Sequence, residues 1–157
     1  MAAEFPCLPG SYALFLTLDK TAELSIGKLG GFVFPAGKYV YTGSAHGAGG
    51  LCARLRHHLR SAQRPHWHID WLRTKAVVGG GVYVVQGEGM EGGIPLECVW
   101  SQALLGLPGA SVPVRGFGAS DCHSGCEAHL VFFVQPQDLL KPFMQVARSK
   151  VVLWTAS

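Results

Sequence analysis

The sequence predicts an α/β domain of the α+β kind: a small, mostly antiparallel twisted sheet flanked by helices. Three observations carry this. Short runs of alternating β-branched and aromatic residues are punctuated by Gly and Pro turns. Leu51, Leu55 and Leu59 recur every four residues, the buried stripe of a helix. A length of 157 residues with 48% hydrophobic and 15% charged side chains suits one core.

Ser11 to Leu18 follows the Pro9-Gly10 break and reads as a strand buried on much of both faces. Glu23 to Ile26 and Gly31 to Phe34 flank a glycine-rich turn, Pro35 to Gly37 marks another, and Lys38 to Thr42 alternates as a strand does. Gly43 to Gly50 is too rich in glycine for regular structure. It leads into a helix from Leu51 to Arg60, on which Arg54 and His58 are one turn apart and share a face beside the leucine stripe. Ile69 to Lys75 reads as a short helix, Ala76 to Gln86 as a strand interrupted by Gly79 to Gly81, and Glu88 to Gly93 as a loop. In Pro95 to Leu105 the proline sits where its missing N–H costs nothing, and Leu96, Val99, Trp100, Ala103 and Leu104 form a core stripe. Leu107 to Ala128 is a long irregular stretch, of the kind that usually carries function. His129 to Val134 is a last strong strand, and Gln137 to Val146 a helical candidate. With no repeat and no linker, residues 1–157 read as one domain.

No apolar run approaches the roughly 18 residues of a membrane helix, and the composition is too apolar for disorder, so a soluble folded chain is expected. The first residues carry Glu4 and are broken by Pro6, Pro9 and Gly10, which is no secretory pattern. Cys7, Cys52, Cys98, Cys122 and Cys126 are odd in number and irregularly spaced, in a chain large enough to do without disulfides. A reducing cytoplasm is the expected compartment.

The net charge of +3 is unevenly spread. Residues 38–75 hold Lys38, Arg54, Arg56, Arg60, Arg64, Arg73 and Lys75 against Asp70 alone, a net of +6 that leaves −3 for the rest. Such a block is the footprint of a surface that meets phosphates, unless it is simply the solvated side of helices. Tyr12, Tyr39, Tyr41, Gly43, Arg54 and His58 form a strand, glycine-loop and helix constellation that overlaps this block. A glycine-rich loop entering a helix can turn backbone N–H groups toward an anion, and an arginine one turn in can hold a phosphate bidentately.

Gly10-Ser-Tyr12, Tyr41-Thr-Gly43, Leu51-x-x-Arg54-Leu55-x-x-His58 and Leu96-Glu97 at a later helix start occur in an order that resembles the GIY-YIG nuclease superfamily. Gly37 to Ala45, His66 to Leu72, Leu96-Glu97-Cys98 and Gly116 to Cys122 resemble its Uri-type branch of presumptive endonucleases, and the likeness spans residues 10–134. The resemblance implies metal-dependent hydrolysis of DNA phosphodiesters. Tyr12 and Tyr41 would stand over the scissile phosphate, with one of them acting as a base on water. Arg54 would bind the phosphate, His58 would lie one turn later, and Glu97 would hold one magnesium or manganese ion. Ser11 and Thr42 replace the middle residues of the two triplets, and the chain has no asparagine, although many members carry one near the site. Ser120 and Asp121 are the candidates to stand in. Without the resemblance, Tyr12 and Tyr41 read as core residues and Glu97 as an ordinary first-turn glutamate.

Lys38, Tyr39, Gly43, Arg56, Arg60, His66 and His68 are the expected nucleic-acid contacts, with DNA, single-stranded or branched, as the partner. The His66-Trp67-His68 pair does not have zinc spacing, so a phosphate contact fits it better. Cys98, Cys122, Cys126 and His129 offer four soft ligands compatible with structural zinc, although buried free cysteines beside a strand-capping histidine are the preferred reading. The competing functions are a nucleic-acid-binding module with a basic cleft and no turnover, and a zinc-stabilised interaction domain.

Overall fold

In chain order the elements are β1 (Gly10–Leu18), β2 (Ala22–Ile26), a 3-10 turn (Gly27–Leu29), β3 (Gly30–Phe34), β4 (Gly37–Ala45), α1 (Gly50–Leu59), α2 (His68–Leu72), β5 (Val77–Val85), β6 (Met90–Glu91), β7 (Ile94–Pro95), α3 (Leu96–Leu105), β8 (Ala110–Ser111), β9 (Leu130–Phe133), α4 (Lys141–Val146) and β10 (Val152–Thr155). These come from a computed structural model that describes residues 4–61, 64–86, 90–91, 94–135, 137–146 and 150–156. The fold is mixed α+β. Six strands form one sheet in the order β10-β5-β1-β4-β9-β8, every pair antiparallel, and β2-β3 and β6-β7 are separate two-stranded hairpins.

Side chains alternate across the sheet, so β1 and β4 supply two cores. Tyr12, Leu14, Leu16, Tyr39 and Tyr41 pack with Leu51 and Leu55 of α1, Ile69 and Leu72 of α2, and Ile26 and Phe34 of the β2-β3 hairpin. Ala13, Val40, Val82, Val84, Val131 and Phe133 point the other way, onto Leu96, Trp100 and Leu104 of α3 and Phe143 of α4. The sheet is thus covered on both faces, with α1 and α3 on opposite sides.

The structure departs from the sequence reading at several places. Gly43, Ser44 and Ala45 are not loop: they continue β4, paired with Tyr12, Ser11 and Gly10. The three glycines of β5 do not interrupt it. The register skips Gly79 between Phe15 and Leu16, which is a bulge that a residue without a side chain absorbs. Leu59 is 39% exposed and drops out of the helical stripe, its place taken by His58 at 1%. The final helix begins at Lys141 rather than Gln137, after Asp138 Oδ1 accepts from the Leu140 N–H. His129 to Val134 is not the last strand, because β10 adds to β5 at the sheet edge. Of the expected loop from Glu88 to Gly93, residues 88, 89, 92 and 93 lie outside the described residues, and Met90 and Glu91 are not loop but form β6, paired with β7.

Two further corrections bear on function. Cys7 and Cys52 form a disulfide, so the expectation of unpaired cysteines fails for these two. The segment before β1 also lies across the start of α1, where the Leu51 and Cys52 N–H groups donate to the Leu8 and Pro6 carbonyls at 2.9 and 3.0 Å. The helix N-terminus therefore has its donors occupied and offers no anion site, contrary to expectation. Among the described residues, no helix is long and apolar enough to cross a membrane.

Candidate active site

β9 pairs with β4 only from Lys38 to Tyr41. Beyond that point, the edge of β4 from Gly43 to Ala45 faces no strand among the described residues, and a cleft opens where the sheet ends. Its volume is about 750 Å³. Tyr41, Ser44, Arg54, Trp67, Glu97 and His129 stand on its wall. Because the opening lies at a sheet edge, Arg54 from α1 on one face and Glu97 from α3 on the other reach the same space.

Arg54 is held in two ways. One guanidinium nitrogen donates to the Ser44 carbonyl at 3.0 Å, and the guanidinium carbon lies 4.1 Å from the centre of the Trp67 ring. Cation–π stacking plus one backbone bond fixes the plane of the guanidinium while leaving other N–H donors toward the cleft. Trp67 was not singled out from the sequence. Its role depends on where α2 sits, which is set by Asp70: that buried carboxylate accepts from the backbone N–H groups of His66 and Trp67 at 2.9 and 3.0 Å, from Arg73 at 2.9 Å and from His57 at 3.1 Å. Burial alone would raise Asp70, but these donors outweigh it and hold it below the usual carboxylate value. His57, His58 and Asp70 come close enough to hold a metal. The carboxylate is already filled by donors and paired with Arg73, so the group is a structural network.

Tyr12 and His58 lie behind the cleft wall rather than on it. Tyr12 is fully buried, and its hydroxyl is 2.7 Å from His58 Nε2. Burial pushes the phenol up to about 12, against the pull of the nearby Arg54 guanidinium. Burial also drives His58 well below the ordinary histidine value, and Arg73 adds to the effect. The pair is therefore a neutral phenol against a neutral imidazole, and the expectation that both line the cleft is corrected. Tyr41 does line it, at 6% exposure, with its hydroxyl raised well above the ordinary tyrosine value by burial. The Tyr12 and Tyr41 ring centres are 6.4 Å apart. A Cβ on Gly43 would lie 2.6 Å from the Tyr12 oxygen, so the glycine is what lets the phenol cross β4 to reach His58.

Glu97 is half-buried in the first turn of α3, and burial raises it despite the favourable Ser44 and Ser11 hydroxyls and His46 nearby. Its Oε2 is buried without a hydrogen-bond partner. Glu97 as a residue lines the cleft, and a carboxylate there is of the hard oxygen type that a magnesium or manganese ion takes. The solvated first-turn reading of Glu97 does not hold.

The remaining expected contacts separate. His66 and His68 line the cleft, but the Gly118 N–H donates to His68 Nδ1 at 2.8 Å, leaving only Nε2 for a ligand. Ser120 and Asp121 are exposed on the same wall. Tyr39 is fully buried, its hydroxyl donates to the Pro35 carbonyl and its ring packs on Phe132, so it cannot touch a nucleic acid as expected. Lys38 donates to Thr17 near the far end of β4, roughly 16 Å along the strand from Gly43. Arg56 and Arg60 line a second groove with Arg73, so the basic block does not form one face.

Cys98 in α3, Cys122 and Cys126 in the long segment, and His129 before β9 bring their donor atoms within 4.8 Å of one another, a group that could hold a metal ion. The three cysteines are unpaired, as the free-cysteine reading has it, but only Cys98 is buried; Cys122 and Cys126 are half-buried. Burial and the two neighbouring thiols raise Cys98, whereas the N–H groups of Cys126 and Ser124 overcome burial to lower Cys122.

No curated protein and no solved structure matches the chain. A family model matches residues 11–152, from the first residues of β1 to the start of β10, and so takes in every residue of the cleft. The chain belongs to the family described as domain of unknown function DUF123.

Proposed function

We propose that the cleft hydrolyses DNA phosphodiester bonds with one magnesium or manganese ion. The observation that carries this is the meeting of Arg54 and Glu97 from opposite faces of the sheet in one cleft walled by Tyr41. The order of the Tyr12, Tyr41, Arg54, His58 and Glu97 motifs, with its resemblance to GIY-YIG nucleases, supports the same reading.

Each residue has a role set by its surroundings. Arg54, braced by Ser44 and Trp67, meets two non-bridging phosphate oxygens and stabilises charge that grows on them in the transition state. Tyr41 presents its hydroxyl to the phosphate or the attacking water. Tyr12 and His58 are positioning residues that fix α1, and with it Arg54, against β1. Glu97 would hold the divalent ion, which supplies Lewis-acid stabilisation of the phosphoryl oxygens and the leaving oxygen. The thiol-rich group at Cys98 does not suit magnesium; zinc is the ion its softness favours.

A binding module with the same cleft is the second reading, favoured by the missing asparagine. Arg54→Lys separates the two. Lysine copies the charge but not the fork or the stacking, so single-turnover cleavage should fall roughly a hundredfold or more while DNA affinity changes only a few-fold. Equal losses in rate and affinity would count against a catalytic Arg54.

A further inference from the structure

We propose that Cys98, Cys122, Cys126 and His129 bind one zinc ion in a closed, four-ligand structural centre that pins the wall of the cleft to the first turn of α3. Two of the donor distances are those of such an ion, and all four donors lie within 4.8 Å of one another. Cys98 Sγ is 3.6 Å from Cys122 Sγ and 3.5 Å from His129 Nε2. In a zinc tetrahedron, Zn–S of about 2.3 Å and Zn–N of about 2.0 Å place two sulfurs about 3.8 Å apart and a sulfur and a nitrogen about 3.5 Å apart.

The surroundings are those of a ligand set. The Gln102 side-chain amide donates toward Cys126 Sγ at 3.7 Å. Donors of this kind steady metal-bound thiolates. His129 is 6% exposed, and Cys98 is buried.

The segment also needs a fastening that its side chains do not provide. Residues 119–127 contain no fully buried residue and no helix or strand. They are nonetheless the part of the cleft wall that carries Ser120, Asp121 and His123. Two parts of the chain distant in sequence, the start of α3 and residues 122–129, meet at the four donors, so binding there converts metal affinity directly into order. With all four positions filled by protein the ion has no open site for a substrate, which separates it from a catalytic metal. Cys98 directly follows Glu97, so the same ion fixes the turn that presents the carboxylate. The presence of zinc stands independently of what the cleft hydrolyses; only its effect on Glu97 rests on the nuclease reading.

The test uses the full chain, purified without added chelator. Elemental analysis should find about one zinc per chain, and cobalt added to the metal-free protein should give the intense visible absorption and sulfur charge-transfer bands of a tetrahedral thiolate site. Cys126→Ser, at a half-buried position that the fold tolerates, should lower zinc affinity at least tenfold and reduce backbone exchange protection over residues 119–127, whereas Glu97→Gln should leave both unchanged. Zinc that persists undiminished in a Cys122→Ser, Cys126→Ser double variant would overturn the assignment. So would a metal-free protein that neither binds cobalt nor changes its exchange pattern with zinc. Manganese-dependent cleavage, measured separately, reports on the nuclease reading and not on this one.

Discussion

Three charged or polar neighbours, Arg73, His57 and Arg54, disfavour the imidazolium of His58, and only Asp70 favours it. With burial acting in the same direction as the three, the folded chain refuses a proton that the unfolded chain takes up near pH 6.5. Stability is therefore full above that pH and falls as the pH drops below it, by at most about 1.4 kcal/mol per pH unit for each such histidine. His129 and His68 are shifted the same way by burial and steepen the fall; Glu97, raised by burial, offsets part of it at lower pH. Urea midpoints between about pH 7.5 and about pH 5 should decline less steeply in His58→Gln than in the unaltered chain. Parallel declines would contradict a buried neutral imidazole. Helical spacing alone placed Arg54 and His58 on one face, and that much was legible in the sequence. The distinction between them was not: Arg54 reaches the cleft, whereas His58 is buried against the Tyr12 hydroxyl of β1. Trp67 was equally hidden, since nothing local reveals which arginine an aromatic ring will cover.

At the level of elements, α1 is anchored by the chain that precedes β1. The Leu8 and Pro6 carbonyls occupy its first donors, and the Cys7–Cys52 disulfide closes a loop across a sequence separation of 45. Chain entropy assigns such a loop about 4 kcal/mol. Cys7→Ser should accordingly lower unfolding stability by up to about that amount, and a reductant should shift the unaltered chain to the same urea midpoint while leaving Cys7→Ser unmoved. Identical midpoints with and without reductant would show that the bond does not contribute. Odd cysteine number and spacing argued against any bridge, and they carry no information on whether two Cα atoms come to lie 4.6 Å apart. Period was a better guide: alternation located β1 and β4, and the Leu96, Trp100 and Leu104 stripe located α3. It missed β10, four residues long and paired only with β5, and it cut β4 short at the glycine that Tyr12 requires.

The molecule as a whole depends on one topological fact. β1 and β4 are adjacent central strands, β9 covers only the first part of β4, and the open end gathers α1 from one face, α3 from the other and the segment before β9. Residues from positions 41 to 129 become neighbours there. Motif order in the sequence indicated most of these residues, but not the second groove that takes Arg56, Arg60 and Arg73 away from the cleft, because charge counting does not record direction. The central claim is that Arg54 and Glu97 make this cleft a metal-dependent nuclease. The most direct measurement is cleavage of labelled single-stranded and duplex DNA with manganese, magnesium or a chelator, by the unaltered chain and by Glu97→Ala. Nicking that requires the ion and is lost in a folded Glu97→Ala chain, whose melting temperature is unchanged, is the predicted result. No cleavage with either ion, or turnover retained in Glu97→Ala at saturating magnesium, would contradict it.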